Sequence, residues 1–241
     1  MKRYRIHIKH TLATLTCEEQ YLDTGLKEIT KQRRILEKFI EGYPVFAQSF
    51  IPVDVSPDDP EIVLSMAEAS ALAGVGPMAA VAGAIAELTV AAMVKAGARH
   101  VVMDNGGDIA MKINQPVVVG IYSGKSRIND IGFQIMPREG ILGICTSSGT
   151  LGHSISQGSA DSVTVISPDV VLADAVATSL GNHIQHTDKN HIENSLKKHL
   201  FDPVSGILVA ADDVMAWTGD LPRMVKTGFD VKKINMDWRQ S

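Results

Sequence analysis

The stretch DVVLADAVATSLGN, residues 169–182, reads as a helix carrying an aspartate, Asp174, and a threonine, Thr178, four residues apart. That spacing places both side chains on one helix face, about one turn from each other. A carboxylate and a neutral hydroxyl so placed form a hard oxygen pair, suited to a Mg2+ ion that keeps some of its water and binds substrate phosphates. The same residues also fit a plainer arrangement, in which Thr178 bonds back to a carbonyl of its own helix and Asp174 is solvated. Just upstream, TSSGTLGHSISQGSAD, residues 146–161, gathers small hydrogen-bonding side chains around one histidine. Thr146, Ser147, Ser148, Gly149 and Thr150 can offer hydroxyls and N–H groups to a ligand. His153 has the near-neutral pKa of a general base, or is a surface loop residue.

A second constellation is Asp104-Asn105-Gly106-Gly107-Asp108. Asn and paired Gly suit a two-residue hairpin turn with positive φ. The place of this turn, just after a helix and a strand that both read as buried, also lets a glycine backbone touch a ligand that Asn105 and Asp108 hydrogen-bond. Gly76, before Pro77, opens an apolar helix whose first N–H groups are open to an anion. The histidines of NHIQHTDKNH, His183, His186 and His191, lack the helical spacing or the cysteines of a zinc site and read as a solvated loop.

These groups need a scaffold, and the rest of the chain supplies its signals. RYRIHIKH alternates Tyr4, Ile6 and Ile8 against charged neighbours, the period of a strand with one wet face, and LATLTC follows as a second strand. Leu26, Ile29, Leu36, Phe39 and Ile40 recur at helical spacing and predict an amphipathic helix over 26–40, ended by Gly42 and Pro44. A helix with Asp59 as N-cap and Pro60 at N1 is expected to stop at Gly74. GVGPMAAVAGAIAELTVAAMVKAG carries only Glu87 and Lys95 as charges, and a helix apolar on all sides is expected to be buried. Strands are expected at HVVM, IAMKI, QPVVVGIYS, FQIM, ILGICTS, SVTVIS and GILVAA, with helices over 169–180 and 190–200.

Composition narrows the function classes. With 241 residues, 45% of them hydrophobic and 21% charged, the chain can bury a substantial core as one domain or two packed subdomains. A formal charge of -4 offers no basic surface for nucleic acid, so a small molecule is the expected partner. The longest apolar stretch, 75–94, is broken by Gly76, Pro77, Gly83 and Glu87, which argues against a membrane span and for the cytoplasm. Cys17 and Cys145 make neither a disulfide framework nor a metal spacing, and Cys145 reads as a small buried hydrophobe.

In order, VVMDNGGDIAMKI, ICTSSGT and SVTVISPDVVLADAVATSLGN resemble three segments of the ApbE family, the Mg2+-dependent FAD:protein FMN transferases. The chain is most similar to a shorter group of ApbE-like proteins, in which GVGPMAAVAGAIAE is a familiar stretch, and the resemblance covers roughly residues 62–182. It implies an α+β, ApbE-like (T-fold related) architecture over 1–241, with two similar halves whose antiparallel sheets pack against helices. It further implies Mg2+ on Asp174 and Thr178, a flavin-nucleotide turn at Asn105, Gly106, Gly107 and Asp108, and a phosphate loop at Thr146–Gly149. The sequence departs from the transferases in two places. TLGHSISQGSAD replaces a longer insert in which a His precedes Asp-Pro-x-Thr-Gly, and GVGPMAAVAGAIAE lacks their Lys-Gly pair.

The resemblance leaves three functions open. They are FMN transfer to a protein Thr/Ser or FAD pyrophosphate cleavage, a nucleotide-binding module without chemistry, and phosphoryl or acyl chemistry on another small metabolite. The geometric expectation is single: Asp174 and Thr178 line a pocket with Ser147, Ser148 and the 105–108 turn, and Asp174→Ala leaves the fold intact. A homodimer is compatible with the apolar content.

Overall fold

A computed structural model describes residues 1–121, 131–148, 160–211 and 214–227. Gly149, Thr150 and His153 lie outside the described residues. The chain opens with an antiparallel hairpin of β1 (Lys2–Ile8) and β2 (Thr11–Cys17), in which Tyr4 faces Leu15 and Ile6 faces Ala13 across the strands. Helix α1 (Leu22–Gly42) buries Ile29, Gln32 and Leu36 and exposes Asp23, Lys27, Lys31, Arg34 and Lys38, as its amphipathic spacing requires. The short α2 (Val45–Gln48) and the longer α3 (Glu61–Ala73) follow.

The start of α3 differs from the expected cap. Pro60 stands at the N-cap, and the Asp59 carboxylate turns back to accept from the Ser56 N–H at 2.8 Å. A residue before proline is pushed out of the α region, which places Asp59 outside the helix. The other end is as expected: Gly74 adopts φ 70, the left-handed conformation that a helix terminus favours.

A 3-10 turn, Pro77–Ala80, leads into α4 (Val81–Lys95), and the hairpin β3 (Val101–Asn105) and β4 (Asp108–Lys112) follows it. This turn and helix together are long and apolar enough to cross a membrane. Here they pack against α1, α3, α5, β3 and β4 as a core element. β5 (Val117–Ile121) and β6 (Ile131–Ile135) pair with each other. The second part of the chain repeats the first: a strand pair, β7 (Leu142–Ser147) and β8 (Ser162–Ser167), two helices, α5 (Val170–His183) and α6 (Lys189–His199), and another pair, β9 (Gly206–Ala211) and β10 (Val214–Gly219). β11 (Arg223–Lys226) is the last strand among the described residues.

Among the described residues, the strands form an eight-stranded sheet ordered β1-β2-β3-β4-β7-β8-β9-β10 and a three-stranded sheet ordered β11-β6-β5. All pairings are antiparallel, and the two halves join where β4 meets β7. The central strands of the large sheet, β3, β4 and β7 to β9, therefore send alternate residues to two different cores. Leu15, Val101, Met103, Ala110, Val163, Val165, Ile207 and Val209 meet the helices. Met111, Leu142, Ile144, Ile166 and Leu208 meet Phe133 and Ile135 of the small sheet.

Helices α4 and α5 lie side by side, and Glu87, the carboxylate of an otherwise apolar helix, accepts hydrogen bonds from the N–H groups of Val170 and Val171 at 2.8 and 3.2 Å. They belong to the first turn of α5, where Asp169 caps Leu172 at 2.8 Å. Burial pushes the Glu87 carboxyl above its usual range, against the pull of the two amides. Replacing Glu87 by Ala leaves two inward-facing donors unmet, and a loss of about 1–3 kcal/mol is expected in urea unfolding. Glu87→Gln keeps an acceptor and should lose clearly less, whereas equal losses would show that Glu87 does not cap α5.

Candidate functional site

The hairpin turn is built by two glycines. Asn105 pairs with Asp108, and Gly106 and Gly107 between them take φ 76 and 111, as the sequence led us to expect of at least one. The turn is held from one side by the Asp104 carboxylate, which accepts from the Gly107 N–H at 3.0 Å. From the other side the Thr146 N–H donates to the Gly107 carbonyl at 3.2 Å. A Cβ on Gly107 would lie 3.5 Å from the Thr146 carbonyl, so the backbone angle and not crowding excludes a side chain there. Gly107→Val should destabilise by about 1–3 kcal/mol, measured by thermal or urea unfolding. An unchanged stability would contradict the strain.

Helix α5 runs antiparallel to α4, so that Glu87 meets Val170 at one end and Gly83 meets Asp174 one turn further on. Asp174 is buried, at 7% exposure. Its Oδ2 accepts from the Gly83 N–H at 2.8 Å, and the Ala82 N–H also donates to it. Asp174 thus caps α4 as Glu87 caps α5. This corrects the plainer sequence reading, in which Asp174 was solvated, and it bears on Asp174→Ala as well. Removing the carboxylate frees the buried Gly83 donor, so that change is not structurally silent. Gly83 allows the contact, because a Cβ there would stand 2.7 Å from the Val170 carbonyl and 2.8 Å from Asp174 Cβ.

Asn105, buried in the same corner, donates its side-chain amide to the Ala82 carbonyl at 3.1 Å. Asp108 lies on the helix side of the sheet opposite Cys145, whose Sγ also reaches the Val170 carbonyl at 3.5 Å. Burial, then the charge of Asp174 and that of Asp104, drive the Asp108 carboxyl well above its usual range, opposed by the Cys145 thiol and the Thr146 amide. Burial raises Asp174 from 3.8 to about 7, against the Gly83 and Ala82 amides. Asp108 and Asp174 thus belong to the corner where hairpin, α4 and α5 converge, and the charge of Asp174 is felt at Asp108.

The structure places the remaining candidates less uniformly. Ser147 follows Cys145 by two residues on β7 and so shares the face of Cys145 and Asp108, while Ser148 continues the strand's end; both are half-buried. The Thr146 hydroxyl points to the other face, 3.0 Å from Thr164 Oγ1 across β7 and β8. Thr178 is half-buried one turn beyond Asp174, on a helix that also packs against the 3-10 turn 77–80. Gly76 is buried against backbone, since a Cβ there would come 1.8 Å from the Ser49 carbonyl. The anion expected at that helix start has a counterpart inside the chain, because the Ala82 and Gly83 amides already serve Asp174. Gly83, Ala82 and Glu87 were not singled out as site-building residues. The available signal was that Glu87 and Asp174 are lone carboxylates on helices otherwise almost uncharged.

Two repeated halves, each of paired strands enclosing helices, define an ApbE-type architecture. Solved structures of the same arrangement include the apo flavinyl transferase ApbE of Pseudomonas stutzeri, with TM-score 0.55 at 11% identity over 90% of this chain and 93% of that one. Another is the ApbE protein of Thermotoga maritima, with TM-score 0.54 at 11% identity over 94% and 97%. The family described as AbpE bacteria matches residues 2–205, and the chain belongs to it. UPF0280 proteins are similar over nearly their whole length: 44% identical in Methanocella arvoryzae, over 97% of this chain and 95% of the relative, and 41% in Archaeoglobus fulgidus, over 93% and 94%.

The raised carboxyl of Asp174 has a stability consequence whose sign is fixed. Between pH 4 and about 7 the folded chain keeps a proton that the unfolded chain has lost, so metal-free stability falls as pH rises through that window and stays lower above it. Asp174→Asn keeps an acceptor for Gly83 and cannot ionise. Its melting temperature should therefore fall less than that of the wild type between pH 5 and 8, and parallel pH profiles would overturn the assignment.

Proposed function

We propose that this protein binds a flavin nucleotide, FAD, together with Mg2+, with its chemistry directed at the pyrophosphate. The observation that carries this reading is the pair of carboxyls Asp108 and Asp174, both raised by burial, with the charge of Asp174 among the causes at Asp108. An oxygen-only donor set of that charge fits a hard divalent cation better than a soft one. Asp174 and Thr178 would hold the ion, and the Ser147 and Ser148 hydroxyls would orient the phosphate oxygens. When bound, Mg2+ supplies neutralisation and polarisation of the pyrophosphate. The outcome is then set by the incoming oxygen: a protein Thr or Ser gives FMN transfer, and water gives FAD cleavage. Family membership and the flavinyl transferase name of the P. stutzeri neighbour support the choice of a flavin nucleotide. His153, the sequence's candidate base, lies outside the described residues.

A second reading, nucleotide binding without chemistry, is favoured by specific residues. TLGHSISQGSAD lacks the Asp-Pro-x-Thr-Gly element and GVGPMAAVAGAIAE the Lys-Gly pair that the transferases carry. Both readings share a metal-dependent site. Calorimetric titration of FAD with 5 mM Mg2+ or with EDTA, on wild type and Asp174→Asn, tests it, at concentrations chosen on the order of the dissociation constant. FAD should bind the wild type at least about tenfold more tightly with Mg2+, and Asp174→Asn should lose that dependence. Equal affinity in all four titrations would refute the reading. Release of FMN or AMP from FAD would separate catalysis from binding alone.

A further inference from the structure

Helix α6 is seated on the last turns of α5 and on β10 by a small and half-polar face. Its buried residues are Ile192, Ser195, Leu196 and His199, so two aliphatic side chains share that face with a hydroxyl and an imidazole. His199 is 8% exposed. Its Nδ1 lies 2.8 Å from the Ser195 carbonyl, which can only accept, so this nitrogen carries a hydrogen. Its Nε2 lies 3.2 Å from the Oγ of Ser179 on α5, and that buried hydroxyl donates to the Ala73 carbonyl at 2.7 Å. One imidazole thus joins the last turn of α6 to α5 and, through Ser179, to the end of α3.

The charges around this ring have one sign. From α5 the His183 ring meets it edge-on, with centroids 5.1 Å apart, and from α6 itself the charge of Lys198 acts on it. The end of α3 brings only the Ala73 carbonyl, and β10, Val214–Gly219, has no titratable side chain. Among the described residues no carboxylate acts on the ring. Burial, joined by the charges of His183 and Lys198, holds the imidazole below its usual range, against the pull of the Ser195 carbonyl. We propose that α6 is an acid-released element: protonation of His199 weakens its seat on α5 and α3, and α6 lifts away while α4 and α5 stay joined. This inference is independent of the flavin reading. Its sign follows from linkage. As pH falls, a solvated histidine takes up its proton before the buried one does, so acid favours the lifted form. A helix held by two aliphatic side chains and a few polar contacts is the kind of element that opens locally.

The test is amide hydrogen exchange of the full chain at about pH 7.5 and about pH 5.5, on either side of the ordinary histidine range, in wild type and His199→Gln. Exchange of peptides from 189–200 is corrected for the intrinsic rate at each pH and compared with peptides from 81–95 in α4. In wild type the α6 peptides should exchange at least about threefold faster, relative to α4, at the lower pH. His199→Gln, which cannot take up a proton, should lose that acceleration. An equal acceleration in both proteins, or one shared by α4, would overturn the proposal. Should His199→Gln disturb the fold, NMR titration of the wild-type ring decides: His199 should titrate below the usual histidine range, and a value within or above it would refute the acid release.

Discussion

Two helices in this molecule end by using each other. The first turn of α5 gives its N–H groups to Glu87 on α4, and the first turn of α4 gives its N–H groups to Asp174 on α5. A helix start buried without acceptors is costly, and neither helix has one of its own that serves these donors deep in the core. The two carboxylates therefore fix the lateral distance and the antiparallel register of α4 and α5 together. Gly83 is the position that lets them come close enough, and the sheet beneath receives both helices at the junction of the two halves. The interaction belongs equally to the helix macrodipoles, since each negative group sits at a positive helix end.

The candidate site is a by-product of that arrangement. Bringing Asp174 to the start of α4 also brings it over the end of β4, where Asp108 stands, and Asn105 is drawn in by the Ala82 carbonyl. The corner is thus pre-formed by groups that stabilise the fold, and burial there holds both carboxyls above their usual range. The two ApbE neighbours share the surrounding fold at 11% identity, which is a likeness of architecture alone.

Much of this could be read in the residues. The all-round apolar α4, the glycine turn, the central strands and the α5 helix all carry strong local signals, and the structure has them at or within a few residues of the expected places. Three family segments in order led to the fold. What local pattern could not supply was pairing across the chain. Asp174 finds Gly83 at a separation of 91 residues, and no periodicity announces such a partner. The fate of Thr146 was decided by parity: in a strand, a shift of one residue changes the face, and its hydroxyl went to Thr164 while Ser147 kept the helix side. Gly76 read as an open helix start because its contact, the Ser49 carbonyl, lies in a loop with no recognisable pattern. The edge strands β10 and β11 were missed because exposed edges dilute the alternation on which strand recognition depends.

The repeat also orders events in time. Most strand pairs of each half join neighbours in the chain, as β1 with β2, β3 with β4 and β9 with β10, so their loops close early. The carboxylate clasps between α4 and α5 span separations of 83 and 91 residues and come into being only once both halves have met. Interactions formed that late contribute little to the rate of folding and much to the slowness of opening. The lifetime of the closed molecule is accordingly concentrated in a few polar contacts at the seam, and the first breach in the native state should run along the line between these two helices.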